Sequence, residues 1–250
     1  MKHFFIILRH ELRGIILSAS TYLVAFFFLL VMGFIYQLVL MSYNRAPQEM
    51  LPTSMFLLFF FIPTLLLIPL LTMRSIAEER RLGIMDSLLT TPINSIELVA
   101  GKFFSAFLFY ISLYLLTLAF PIITHYYFPD DRIIDPASLI GGYSFICLSG
   151  LLFIGIGILT SALTKSQLVA GIFSFTLLFG LIVGTNQLDG YVENQFSDFG
   201  ALKTMYEYVH VIEHMSDFSR GIIDSRQLIF YASGTLLVLS LAVLAVDHKR

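Results

Sequence analysis

His210, Glu213 and His214 stand in the run HVIEH, which has the order H-x-x-E-H of the inverted zinc-protease motif. On one helix the two imidazoles would share a face at i and i+4, as ligands of one zinc ion must. Glu213 would then serve as base toward a metal-bound water, with Glu207 and Asp217 as nearby oxygens. The motif is only five residues long, and neither a clear third ligand nor a substrate cleft accompanies it. Its surroundings are also too short for a protease domain. The favoured reading is no metal. It is instead an outer re-entrant or interfacial helical pair, with Met205, Tyr208, Val209, Ile212, Met215 and Phe218 as its apolar side and Arg220-Gly221 turning the chain. His125, beside Tyr126 and Tyr127, reads as an interfacial residue.

The second chemistry to test is nucleotide binding. A phosphate-binding loop needs G-x-x-x-x-G-K-[ST], because its backbone N–H groups and lysine cradle the phosphates. The one Gly-Lys pair, Gly101-Lys102, is followed by Phe103 and has Ile96 where the first glycine belongs. The expectation is a chain without a nucleotide site or cofactor of its own, and not an enzyme. If ATP drives it, another polypeptide hydrolyses the ATP.

The elements that carry these residues are set by composition. Of 250 residues, 57% are hydrophobic and 13% charged, 25 are phenylalanine, and the mean hydropathy is +0.84. A soluble domain carries roughly 25% charged residues. A water-facing surface cannot be built from so few charges, so the solvent is lipid. A net charge of −2 gives no support to nucleic-acid binding. The lone cysteine, Cys147, has no intramolecular disulfide partner and reads as a small buried side chain.

About 20 apolar residues cross the hydrocarbon as a helix. Charge-free windows place six spans near 17–41, 54–73, 103–123, 138–161, 167–188 and 227–246. The runs are continuous rather than alternating, so they are helices and not barrel strands. The expected fold is all-α: a single six-helix transmembrane domain over 1–250. The first apolar run lacks a small-residue cleavage site, so it is expected to remain as a span.

Lys2, Arg9, Arg13, Arg74, Arg80, Arg81, Lys102, Lys165, Lys249 and Arg250 fall on one side, against Arg45, Arg132, Lys203, Arg220 and Arg226 on the other. The positive-inside rule then puts both termini in the cytoplasm. Residues 1–15 form an interfacial helix with Lys2, Arg9 and Arg13 on one arc and Phe4, Leu8 and Leu12 opposite. Glu11 interrupts that apolar arc. The alternative is a set of positive anchors on an extended first span.

Small residues are candidates for close helix contacts. Gly180 and Gly184 form a GxxxG in the fifth span, either a dimer face or an internal packing face. Gly150, Gly155 and Gly157 belong to the fourth span, and Ala170, Gly171 and Ser174 to the fifth. Pro63 and Pro69 are expected to bend the second span. No buried charge is expected in the spans, which argues against ion-coupled transport. Tyr22, Tyr36, Gln37, Asn186 and Gln187 are polar residues that either line a path or bond between helices.

Residues 74–102, RSIAEERRLGIMDSLLTTPINSIELVAGK, are the most polar stretch of the first half. On a helical wheel Ala77, Leu82, Ile84, Met85, Leu88 and Leu89 form an apolar arc. Ser75, Glu79, Arg80, Gly83, Asp86 and Ser87 lie largely opposite, with Glu78 and Arg81 interrupting the apolar side. Thr90-Thr91-Pro92 ends the helix. Asn94 and Glu97 then have the spacing of a capping box that restarts it.

The run MRSIAEERRLGIMDSLLTTPINSIELVAGKF resembles the first cytoplasmic loop of ABC-2-type transporter permeases. Residues 155–170, GIGILTSALTKSQLVA, and 213–231, EHMSDFSRGIIDSRQLIFY, resemble further stretches of the same family. The likeness extends to permeases associated with gliding motility and with nitrous-oxide-reductase maturation. It implies a type V exporter-like architecture in the bacterial inner membrane, with residues 74–100 as the coupling-helix loop and 189–226 as an outer loop with short helices. It also implies cytoplasmic ABC ATPase subunits and a second permease copy or related permease as partners. Glu78, Glu79, Arg80, Arg81 and Gly83 are the expected ATPase-docking region, and residues 1–15 the elbow. The function so implied is export or outward force transmission coupled to ATP hydrolysis by the partner. A non-transporting membrane scaffold and a metallohydrolase are the alternatives.

Overall fold

The computed structural model describes residues 2–45, 51–83, 94–127, 135–185 and 208–248. The described residues are helical, with no strand among them. In chain order the helices are α1 (Lys2–Leu17), α2 (Ala19–Arg45), α3 (Pro52–Leu58), α4 (Phe61–Thr72), α5 (Ala77–Arg81), α6 (Ser95–Thr117), α7 (Ala119–Tyr127), α8 (Pro136–Leu163), α9 (Gln167–Phe179), α10 (Val211–Ser219) and α11 (Ser225–Asp247). A π-helical turn, Gly180–Gly184, continues α9. Six helical stretches are long and apolar enough to cross a membrane: Ala19–Asn44, Phe61–Arg81, Ser95–Tyr127, Pro136–Leu163, Gln167–Gly184 and Ser225–Asp247. The chain is an all-α, multi-pass membrane protein.

α8 is the axis of the bundle. Phe145, Phe153, Ile154, Ile158 and Ala162 along it are fully buried, and α3, α4, α6, α9, α10 and α11 all pack on it. Its neighbours present their outer faces to lipid. Phe26, Phe27, Phe34, Leu66, Leu115, Leu116, Leu236 and Leu237 are all exposed, which in water would be a defect and in hydrocarbon is the matching surface. An aromatic cluster of Phe60, Tyr114, Phe145, Phe218 and Tyr231 ties the start of α4 to α6, α8, α10 and α11, through edge-to-face contacts except for the tilted Phe145–Phe218 pair.

Two expected spans are interrupted, each for the same reason. Span two is not one bent helix over 54–73. It is α3 and α4, parted at Phe59–Phe60. Pro63 has no N–H to give the carbonyl of Phe59 four residues back, and its ring crowds that carbonyl. Pro69, by contrast, lies inside α4 without ending it. Span three starts at Ser95 rather than near residue 103 and turns at Leu118. There Pro121 deprives the carbonyl of Thr117 of its donor.

The interfacial helix runs to Leu17, two residues beyond its expected end, and Ser18 separates it from α2. α1 lies on α6 through Gly101: a Cβ there would stand 2.6 Å from Ile7 Cγ2. Phe4 meets Phe104 edge-on at 5.9 Å.

Candidate functional site

α5 is a five-residue helix, AEERR, and its strength comes from what holds it. At its start, the N–H groups of Ile76 and Ala77 both donate to Ser161 Oγ at 3.0 Å. Ser161 belongs to the last turn of α8, so one hydroxyl oxygen satisfies two helix-start donors that have no partner within α5. At the other end, Leu82 N–H donates to Glu78 O and Gly83 N–H to Arg80 O, and Gly83 takes the left-handed φ of 70°. That conformation is costly for any residue with a Cβ, which explains a glycine at this position.

Between these ends, the side chains of Glu79 and Arg80 turn inward. Lys102 Nζ lies 2.7 Å from Glu79 Oε1 and 2.7 Å from Glu11 Oε1. The Lys102 side chain is 2% exposed, so the interaction is a buried three-member ion cluster joining α1, α5 and α6. A lysine is tolerated at such burial only when paired. The expectation that the spans hold no buried charge is thus corrected. Lys102 lies about two turns inside α6, not at the threshold of an apolar run.

Arg80 does for helix ends what Lys102 does for carboxylates. Its Nη1 donates to Ala162 O and its Nη2 to Ala245 O, the latter at 2.9 Å. These are carbonyls in the last turns of α8 and α11, which lack intrahelical donors and carry the negative end of the helix dipole. The guanidinium fork can bridge two acceptors at fixed geometry. Ser95 Oγ donates to Asp247 Oδ1, closing a further link between the start of α6 and the end of α11. Arg74 Nη1 reaches Ser20 Oγ in α2 at 3.2 Å.

The five residues expected to dock a partner therefore divide by direction. Arg81 and Gly83 are exposed and Glu78 is half-buried, while Glu79 and Arg80 are engaged within the bundle. Leu82 is exposed as well. Residues 84–93, which carry the rest of the polar loop, lie outside the described residues. Of the expected capping box, the Asn94 side chain makes no cap hydrogen bond, whereas the Asn94 backbone is bonded to Glu97. On α1, Arg9 and Arg13 are exposed, and the side chain of Lys2 lies outside the description. Glu11, the interruption of the apolar arc, is the residue that reaches Lys102. An acid on a greasy face was the available signal for this cluster.

Other expected positions resolve differently. Gly180 and Gly184 both fall in the π turn, and among the described residues no atom lies within 4 Å of a Cβ built on either. They are not packed against other described residues. In the HVIEH run, helix α10 begins at Val211, so His210 is its N-cap rather than a member of the same helical face. His210 Nδ1 lies 3.2 Å from Glu213 Oε2, and His214 Nδ1 lies 3.2 Å from the Tyr231 hydroxyl. Both rings are buried. Among the described residues no group of three His, Cys, Asp or Glu could hold a metal ion. Of the expected apolar face, Met215 and Phe218 are buried, Val209 and Ile212 half-buried and Tyr208 exposed, while Val211, not expected there, is buried; Met205 lies outside the described residues. Tyr36 donates its hydroxyl to Thr124 Oγ1 at 2.9 Å, a bond between α2 and α7, whereas Tyr22 and Gln37 are exposed. Asn186 and Gln187 lie outside the described residues. Cys147 is a free, half-buried thiol.

A bundle of six spanning helices, with a short charged helix clamped to the ends of α8 and α11 and to the flanks of α1 and α6, is the frame against which the comparisons stand. The family model for the ABC-2 family transporter protein matches residues 39–199, a stretch that contains α5 and both helices flanking its loop. The chain belongs to this family. It is the membrane-embedded permease of an ABC transporter, and ABC-2 permeases work with an ATPase subunit. No match is found among curated proteins.

Proposed function

We propose that this ABC-2 permease receives mechanical work from a cytoplasmic ATPase subunit through α5 and the loop that follows it. One observation carries the reading: α5 is bonded to α1, α6, α8 and α11 at once, through Glu79–Lys102–Glu11 and through Arg80 on two helix ends. Force applied to such an element is delivered to the bundle as a whole rather than lost in a flexible connector. Within the docking region Glu78, Arg81 and Gly83 form the outward edge, where charge-assisted contacts to a soluble partner are available. Glu79 and Arg80 are positioning residues that fix that edge. Residues 1–15 act as the elbow, bonded to the same cluster by Glu11.

The whole chain, 1–250, works as one transmembrane domain beside a second permease copy or a related permease in a bacterial inner membrane. Both termini and residues 74–100 face the cytoplasm, and residues 189–226 face outward. The activity is export, or outward transmission of force, driven by the partner's ATP hydrolysis. The sequence likeness to gliding-motility and nitrous-oxide-reductase-maturation permeases supports these subfamilies as the setting.

The test is co-purification with the cognate ATPase. Arg81→Glu and Glu78→Lys are expected to lower the amount of ATPase retained while membrane insertion and melting temperature stay as in the parent. Undiminished retention in the double variant would overturn the docking assignment. Thiol labelling of a cysteine introduced at Gly83, in a chain lacking Cys147, must occur from the cytoplasmic side only.

A further inference from the structure

At the end of the bundle opposite α5 there is a second polar site, which the coupling reading does not use. A cavity of about 320 Å³ lies between α3, the start of α8 and the end of α10. Its walls are Leu51, Ser54, Leu58, Asp135, Ser216, Ser219 and Arg220. Ser219 is 4% exposed and its hydroxyl oxygen is buried without a hydrogen-bond partner among the described residues. A buried hydroxyl left unsatisfied costs free energy unless a ligand completes it.

Two opposite charges line this space and are not paired with each other among the described residues. Asp135 caps α8 by accepting from the N–H groups of Ala137 and Ser138 at 3.1 and 3.2 Å, and a carboxylate has lone pairs to spare beyond two such bonds. Arg220 ends α10, and its guanidinium makes no ion pair among the described residues; its backbone N–H is bonded to Ser216 O and Asp217 O. Ser54 Oγ is bonded to Ser138 Oγ at 2.8 Å, which fixes α3 to α8 beside the cavity. Leu51 and Leu58 supply an apolar flank.

The depth of the site indicates its surroundings. α8 has 28 residues, so at 1.5 Å per residue its Asp135 end lies about 42 Å from its Arg80-capped end. A bilayer is about 40–45 Å thick including both headgroup layers. With α5 at one headgroup layer, the cavity lies in the other.

We infer that this cavity binds the zwitterionic headgroup of a phosphoethanolamine lipid. Arg220 and the serine hydroxyls receive the phosphate, Asp135 accepts the primary ammonium, and Leu51 and Leu58 meet the start of the acyl region. A choline headgroup suits it less, because a quaternary ammonium cannot donate a hydrogen bond to Asp135 and is held by aromatic rings, of which the cavity walls have none among the described residues. A purely anionic headgroup would place uncompensated negative charge near Asp135.

The test compares retention of phosphatidylethanolamine, phosphatidylcholine and phosphatidylglycerol with matched acyl chains by the purified full-length chain, using native mass spectrometry during stepwise delipidation. Phosphatidylethanolamine is expected to persist longest. Arg220→Gln and Ser219→Ala are expected to lower its retention, the former about tenfold, as for loss of a charge-assisted hydrogen bond. Asp135→Asn keeps a residue that caps helices well while removing the charge. It is therefore expected to abolish the preference over phosphatidylglycerol with helix content intact. Soluble glycerophosphoethanolamine, which lacks acyl chains, is expected to bind far more weakly than the lipid. Equal retention of the three lipids, or unchanged preference in Arg220→Gln and Asp135→Asn, would overturn the assignment. So would glycerophosphoethanolamine binding as tightly as the lipid, because the ligand would then be a free solute.

Discussion

Replacing Lys102 by methionine tests the ion cluster most directly, because the two side chains have nearly the same length and differ chiefly in charge. In the parent, the carboxylate oxygens of Glu11 and Glu79 each stand 2.7 Å from Nζ, so they are at most about 5.4 Å from each other, by the triangle those distances allow. Without the ammonium, two carboxylates at that separation repel by about 3 kcal/mol at an effective dielectric constant near 20. Breaking a buried pair by removing one partner typically costs about 3–5 kcal/mol. Both glutamates retain roughly a fifth to a quarter of their exposure, which places the expectation at the lower end, about 3 kcal/mol. For a chain of this length that corresponds to a fall in melting temperature of about 6–12 °C. The sequence has no tryptophan and a single cysteine, so unfolding is conveniently followed by a thiol-reactive dye at Cys147, which is half-buried in the native bundle. Adding Glu11→Gln to Lys102→Met must restore part of the loss, because it removes one of the two repelling charges. A Lys102→Met chain that melts within about 1 °C of the parent, or that gains nothing from Glu11→Gln, would refute the cluster as a structural element.

Arg80→Lys is expected to destabilise by about 1.5–3 kcal/mol despite keeping the charge, since one ammonium cannot span two carbonyls as the fork does; the same dye assay reads it. Ser161→Ala removes the shared acceptor of the Ile76 and Ala77 N–H groups and is expected to cost about 1–3 kcal/mol, with faster amide hydrogen exchange confined to α5. Gly157→Ala would place a Cβ 2.8 Å from Thr72 Cβ, so α4 and α8 must separate at a cost of about 1–3 kcal/mol. Gly180→Ala meets no neighbour among the described residues, so its melting temperature is expected to stay within about 2 °C of the parent.

The spans were legible because lipid exposure demands long charge-free runs, and such runs cannot be mistaken for anything else at this density. Their breaks were less so. Pro63 and Pro69 have the same local chemistry, yet of the two only Pro63 parts a helix, and Pro121 does so as well; residue type alone does not tell a break from a tolerated proline. The charged loop is legible as polar, but composition does not tell an outward charge from an inward one. Glu79 and Glu78 are adjacent and identical in type, and helical rotation alone sends one to Lys102. A lysine beside an apolar run commonly marks a span's boundary, which masks the burial of Lys102 in the sequence. Two clues to its burial were in view: Glu11 on the greasy arc of α1, and a glycine immediately before the lysine, which lets α1 come close enough for the bond. The HVIEH spacing suggested a shared helical face that the late start of α10 does not provide.

The double grip of Arg80 constrains how this bundle can rearrange. Neither α8 nor α11 can slide along its own axis past the other without one carbonyl losing its guanidinium donor, so the two travel as a unit wherever α5 is carried. Freedom to shift remains at the seam between α4 and α9, where Leu65, Pro69, Met73, Leu168, Gly171 and Phe175 line a groove of about 360 Å³. Contacts between such side chains are non-directional and lose little when they slip by a fraction of a turn. Relative movement of helices is therefore less costly along this apolar seam than across the flank that Arg80 bonds.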